Sequence, residues 1–290
     1  MLSPVYVSPA WLIMTVVATI FAVVCPFVLG TIARKKLAVG WKYFWFGVLV
    51  FLVFQLLTRI PLIIVLADTV LAPVLRTSTV FNWTWLVIEA VTAGLFEEVG
   101  RYVGYRLFMR RETKTWSKAV MFGLGHEGLE SIVMVGVVNV LTLLNIAIIS
   151  VINVNNLPIA QRQVIHQLVA SINAQPIWLP LFAAWERFWS FPLQVALSVI
   201  VLQVFRRSQI RWLYLAILLH ALIDFLDLAI PQVFGQSITV KLLIDGMVCV
   251  FGLIGAWIIW RLREPGDPAS KGTPSLLQEG HIEPSNGQSV

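Results

Sequence analysis

Three short stretches of this chain carry side chains that can activate water or hold a metal. They are Glu97, Glu98 and Arg101 in Gly-Leu-Phe-Glu-Glu-Val-Gly-Arg, His126 and Glu130 in Phe-Gly-Leu-Gly-His-Glu-Gly-Leu-Glu, and His220 and Asp224 in Leu-Leu-His-Ala-Leu-Ile-Asp. Imidazole and carboxylate serve as general bases and as ligands of divalent ions. All three stretches lie inside strongly apolar sequence. A charge at a bilayer centre costs about 2.5–3.5 kcal/mol, so such groups face a partner or a wet cavity. A polar site within a membrane follows.

The spacing supports one site. Glu97 and Arg101 are four apart, as are His126 and Glu130, and His220 and Asp224. That interval puts both members on one helix face. A carboxylate one turn from an imidazole can orient it and fix its tautomer. Gly123, Gly125 and Gly128 thin the helix around His126 and permit close approach of a neighbour. Each motif alone has a plain structural reading, as a buried ion pair or an interhelical hydrogen bond. His126-Glu127-x-x-Glu130 also falls one ligand short of the zinc pattern H-E-x-x-H. A shared depth argues for the functional reading: His126, His220 and Arg101 each lie about eight or nine residues, roughly 12 Å, from a basic loop.

The elements that must position these groups are membrane helices. The chain has 290 residues, 58% hydrophobic and only 12% charged, against about 25% charged in soluble domains. Backbone groups in lipid must be satisfied within each segment, which predicts an all-α polytopic transmembrane bundle. About seven spans can be placed, near 7–31, 43–67, 83–109, 119–151, 177–205, 212–230 and 240–260. The fourth run is overlong and predicts a break or a strong tilt.

Basic residues cluster in alternate connections. Arg34, Lys35, Lys36 and Lys42 follow the first span, Arg106, Arg110, Arg111, Lys114 and Lys118 flank the third connection, and Arg206, Arg207 and Arg211 the fifth. Arg261 and Arg263 follow the last span. The positive-inside rule then predicts a cytoplasmic C-terminus and an external N-terminus. No positive charge precedes the first apolar run, so it reads as a retained anchor rather than a cleaved signal. The basic loops account for the net charge of +6, and no nucleic-acid partner is implied.

Residues 153–175 are polar, with Val164, Ile165, Leu168, Val169 and Ile172 forming a helical apolar stripe that predicts a short surface helix. Residues 1–263 read as one membrane domain, and the Pro-, Gly- and Ser-rich stretch 264–290 as a disordered cytoplasmic tail. Cys25 and Cys249 sit in apolar runs and support neither a disulfide nor a cysteine metal site. Arg59 is expected to be structural, pairing with Asp68 or Asp245. Glu186-Arg187 is expected to be a buried pair near the cavity, and Asp227 the wet end of its helix.

Glu97-Glu98-x-x-Arg101, Phe122-x-x-x-His126 and His220-x-x-x-Asp224, in this order, resemble the CPBP clan of intramembrane proteases, which includes CAAX prenyl endopeptidases and bacteriocin-immunity relatives. More closely, the chain resembles the bacterial YhfC-type intramembrane metalloproteases. Phe54-Gln55-Leu56-Leu57-Thr58-Arg59-Ile60-Pro61, Gly123-Leu124-Gly125-His126 with Glu130, and Glu186-Arg187 carry that resemblance. It implies a multi-pass protein of a bacterial cell membrane, with a cytoplasm-facing cavity in which Glu97 or Glu98 activates water. His126 and His220, with Glu130, would hold a metal such as Zn2+ or the water and oxyanion, and Asp224 would support His220. The implied substrate is a membrane-anchored peptide, cleaved from the cytoplasmic side.

The chain departs from the pattern at three places. Only Val99 and Gly100 separate Glu98 from Arg101, so either glutamate can be the base. Gln194 stands eight residues after Glu186 where the family looks for His, and its amide could donate to an oxyanion in a metal-free hydrolase. Glu127 replaces the usual Gly. A catalytically inactive relative that binds membrane peptides or confers immunity is the alternative. A transporter using these groups as a relay is less favoured, because transporters commonly show internal repeats and none is visible.

Overall fold

A computed structural model describes residues 6–263. Seven helices are long and apolar enough to cross a membrane: α1 (Pro9–Leu37), α2 (Trp41–Leu75), α3 (Thr79–Phe108), α4 (Trp116–Val151), α6 (Pro180–Arg206), α7 (Arg211–Phe234) and α8 (Ile238–Arg261). The short α5 (Ile159–Asn173) lies between α4 and α6. No strand occurs among the described residues. The expected tail at 264–290 lies outside them. Helix starts are marked by local chemistry: Ser78 accepts from the Phe81 amide, Thr115 from that of Lys118 and Ser237 from that of Val240. These contacts satisfy amides that a first helical turn leaves without partners.

The expected surface helix is α5. Its Val169 and Ile172 are buried with Val7, Trp11 and Ile146, while Val164 and Leu168 stay exposed. Asn173 ties it to the start of α1, accepting from the Ser8 amide at 3.0 Å and donating to the Tyr6 carbonyl at 2.6 Å.

The overlong fourth run is not broken. It continues as one helix through a π-helical interval at Ile132–Val137. α2 has comparable intervals at Leu52–Arg59 and Leu66–Leu71. A π-turn inserts extra residues into a helix and rotates the faces that follow. Gln55 and Arg59 lie within the first interval of α2. The interval in α4 begins two residues after Glu130.

Glycine sets the closest crossings. A Cβ at Gly125 would stand 1.9 Å from the Phe44 carbonyl oxygen, and one at Gly47 would stand 2.0 Å from that of Phe122. α2 and α4 therefore touch backbone to backbone just where α4 carries His126. At Gly94 a Cβ would meet the Ile217 carbonyl oxygen at 2.7 Å and the His220 Cβ at 3.3 Å. This draws α7 onto the turn of α3 that precedes Glu97. Sequence alone places these glycines; only packing makes them crossings.

Candidate metal centre

Four helices deliver the polar groups to one place. On α3, Arg101 is fully buried and reaches back along its own helix, donating from Nη1 to Glu98 Oε1 and from Nη2 to Glu97 Oε2 at 3.4 Å. From α4, His126 Nε2 lies 2.8 Å from Glu97 Oε2. From α7, His220 Nδ1 lies 2.7 Å from Glu98 Oε1, and its Nε2 lies 3.8 Å from Glu97 Oε2 and 3.7 Å from Asp224 Oδ2. From α2, Gln55 donates to the other oxygen of Glu97. The expected convergence of Glu97, Glu98, Arg101, His126 and His220 is present, with every one of these residues buried.

The two glutamates are not equivalent. Glu97 lines a cavity of about 400 Å³ together with Glu130 and Asp224. Glu98 is sealed between Arg101 and His220, with no exposed surface. Of the two carboxylates in the Glu-Glu doublet, Glu97 is the one that faces open space.

Several expected pairings are replaced. His126 is engaged by Glu97 on another helix rather than by Glu130 one turn along. Glu130 instead accepts from Arg187 Nη1 at 3.0 Å and from Gln194 Nε2 at 3.1 Å. The tighter carboxylate on His220 is Glu98, not Asp224. Gln194 accepts from Arg101 while donating to Glu130, so its amide bridges two site residues instead of facing the cavity as an oxyanion donor. Arg59 has neither Asp68 nor Asp245 as an ion partner among the described residues. It donates to the Glu89 carbonyl, to Thr92 at 3.2 Å and to Gln55 at 3.4 Å. Asp245 pairs with Lys241 at 3.6 Å.

Three residues that the quoted stretches contain take up roles those stretches did not announce. Gln55 is 2% exposed and holds Glu97; an amide in mid-span was the available signal. Arg187 gathers Glu130, Glu186 and Glu127, the last at 3.5 Å. Glu127 is fully buried, and neither of its oxygens has a hydrogen-bond partner among the described residues. Breaking such a buried charge set by removing one member costs about 3–5 kcal/mol.

The donor set fits a divalent cation. One oxygen or nitrogen from each of Glu97, His126 and Glu130 comes within 4.8 Å of the other two, close enough for these residues to hold a metal ion. Bonds of about 2.0–2.1 Å put tetrahedral zinc ligands about 3.3 Å apart, so a modest inward shift closes the set. This group brings in Glu97 and leaves His220 just outside, where His126, His220 and Glu130 had been expected. His220 keeps a fitting geometry nonetheless. A proton on Nδ1, facing Glu98, leaves Nε2 as a lone pair opposite the oxygens of Glu97 and Asp224. Acceptors that converge in this way need a proton or a cation between them. Glu98 behind His220 has the place of the carboxylate that orients a metal-bound imidazole.

An apolar seven-helix bundle enclosing an acidic and imidazole centre, open to a cavity, defines an integral membrane protein with a candidate metal site. Residues 20–248 match the family described as YhfC intramembrane metalloprotease, and the chain belongs to that family. It is 28% identical over 197 residues to the uncharacterized membrane protein YhfC of Bacillus subtilis (strain 168), covering 66% of this chain and 74% of that one. No solved structure matches. The family's description implies a metal, which is consistent with the donor set.

Proposed function

We propose that the protein is an intramembrane metallopeptidase that hydrolyses a peptide bond in a membrane-associated substrate. The observation that carries this reading is the position of Glu97: it lines the cavity while its Oε2 stands 2.8 Å from His126 Nε2 and 3.8 Å from His220 Nε2. Glu97 accepts a proton from water as the water oxygen bonds to the substrate carbonyl carbon. It then passes that proton to the leaving amine as the C–N bond breaks. Gln55 and Arg101 hold the carboxylate in place. Glu98 and Arg101 fix His220, and Gln194 and Arg187 fix Glu130. His126 and Glu130, with His220 adjoining, would hold the ion beside Glu97, and zinc suits these mixed nitrogen and oxygen donors. Such an ion, when bound, polarises a carbonyl and lowers the pKa of water.

The test uses the purified protein in lipid nanodiscs, with elemental analysis and a fluorogenic peptide library. Wild type is expected to carry a divalent ion and to turn over peptide. Glu97→Gln is expected to lower turnover by about 10²–10⁴-fold with an unchanged helical spectrum. Full turnover in Glu97→Gln would refute the assignment of the base. A wild type without either metal or turnover would favour the binding or immunity protein. One observation favours that second reading: Glu130 has both oxygens already engaged by Arg187 and Gln194.

A further inference from the structure

The cavity lies on one side of the centre only. α2 and α4 each start at their basic end, as α7 does, whereas α3 finishes at its basic end. In α2 the wall runs from Phe51 through Gln55 and Arg59 to Ile64, and in α4 from Glu130 to Met134. In α7 it runs from Asp224 to Leu228, and in α3 from Glu97 back to Glu89. Every one of these steps leads away from the basic residues. The expected opening toward the basic loops is therefore not met by this cavity.

Packing on the other side explains why. Between the centre and the basic end, Tyr105, Met109, Met121, Phe122 and Leu202 have essentially no exposed surface. Tyr105 stacks on Phe122 with ring centroids 4.8 Å apart and donates to the Ser198 carbonyl at 2.9 Å. Side-chain exposure of the charged groups rises from 0% at Arg101 through 6% at Glu97 and 16% at Glu130 to 33% at Asp224. Asp227, one turn further, is exposed. Exposure of the polar groups thus rises along the cavity, away from the basic ends.

We infer that this centre is served from the non-cytoplasmic half of the membrane, and that the segment it admits is an apolar peptide stretch lodged in that leaflet. The side follows from the positive-inside rule applied to the basic ends. The chemistry follows from the wall. Ile60, Ile63, Ile64, Met134 and Leu228 offer apolar surface, while Arg59, Glu89, Asp224 and Asp227 offer donors and acceptors that a peptide backbone uses and a lipid tail does not. Pockets that bind organic ligands share this mix of apolar lining and a few polar groups. The word substrate rests on the hydrolase reading above; the route of access does not.

Single-cysteine variants in a Cys25→Ala, Cys249→Ala background test it with a membrane-impermeant maleimide. Glu89→Cys and Asp227→Cys, on the cavity wall, are expected to label at least tenfold faster in intact cells than in inside-out vesicles. Ser171→Cys on α5 should behave in the same way, and Arg110→Cys in the opposite way. Labelling of the wall cysteines only in inside-out vesicles overturns the inference, as does labelling from neither face while Ser171→Cys reacts. Reactivity of Ser171→Cys only in inside-out vesicles overturns the assignment of sides. Labelling from outside without any peptide turnover would leave the route standing and remove the hydrolase alone.

Discussion

The two halves of this bundle are built on different rules. Toward the basic ends, glycines let backbones touch and aromatic side chains fill what remains, so that Gly47, Gly125, Tyr105 and Phe122 form a solid floor. Toward the opposite ends, α2 and α4 pass through π-helical intervals, and α2 leaves Leu62, Ile64 and Val65 exposed beside a cavity of about 400 Å³. The polar centre sits on the boundary. A packed floor borders the polar side chains on one side, and the cavity borders them on the other. Sites work best when their immediate neighbours are locked by packing, and here the locking comes from one side.

Removing the charge that holds the floor's upper layer should have the largest effect. Arg101→Met strands Glu98 without its cation and is expected to lose about 3–5 kcal/mol of stability, read as early unfolding in detergent. Adding Glu98→Gln should restore part of it. An unaffected Arg101→Met would mean that the layer is looser than its burial implies.

A matched pair of glycines comes next. Gly125→Ala places a methyl group against the Phe44 backbone and is expected to destabilise by about 3 kcal/mol. Gly136→Ala, in the upper half, meets only the Val23 side chain at 3.0 Å. Its change should stay below about 1 kcal/mol, because that side chain can move and alanine favours helix. Equal losses in thermal melts would erase the distinction between the halves.

The smallest effect belongs at the basic end itself. Lys42, then Tyr43 and Lys118, hold the Glu112 carboxyl down at about 2, below its ordinary 4.5. A lowered value in the folded state stabilises above the ordinary one, and that stability fades as pH falls from 4.5 toward 2. The pair is solvent-exposed, so Glu112→Gln is expected to shift the melting temperature by no more than about 1 °C at pH 7. It should also flatten the melting temperature between pH 5 and 2. A large shift would show that the floor depends on its outer ion pairs.

Much of this was legible in the residues. Long apolar runs gave the seven spans, since a helix must be about 20 residues long to cross. Glu97, His126 and His220 stood out because charge is rare at that depth. The stripe in α5 was readable from its period of Val169 and Ile172. Pairing was harder. Intervals of four suggested His126 with Glu130 and His220 with Asp224, yet each histidine makes its shortest contact with a glutamate of α3. The Glu186-Arg187 pair was expected and is present, but nothing in its stretch announced Glu130 or Glu127 as further partners, nor Glu97 as the target of Gln55.

What the chain dictated by itself was depth: hydropathy and basic loops set how far each polar group lies from a membrane face. Direction around each helix axis was settled only by assembly. Gly47, Gly94 and Gly125 determine which faces meet, and in the assembled bundle Glu97 borders the cavity while Glu98 is enclosed between Arg101 and His220. The reason is physical. Transfer from water to lipid depends on composition along a segment, whereas contact between helices depends on shapes that no single segment contains.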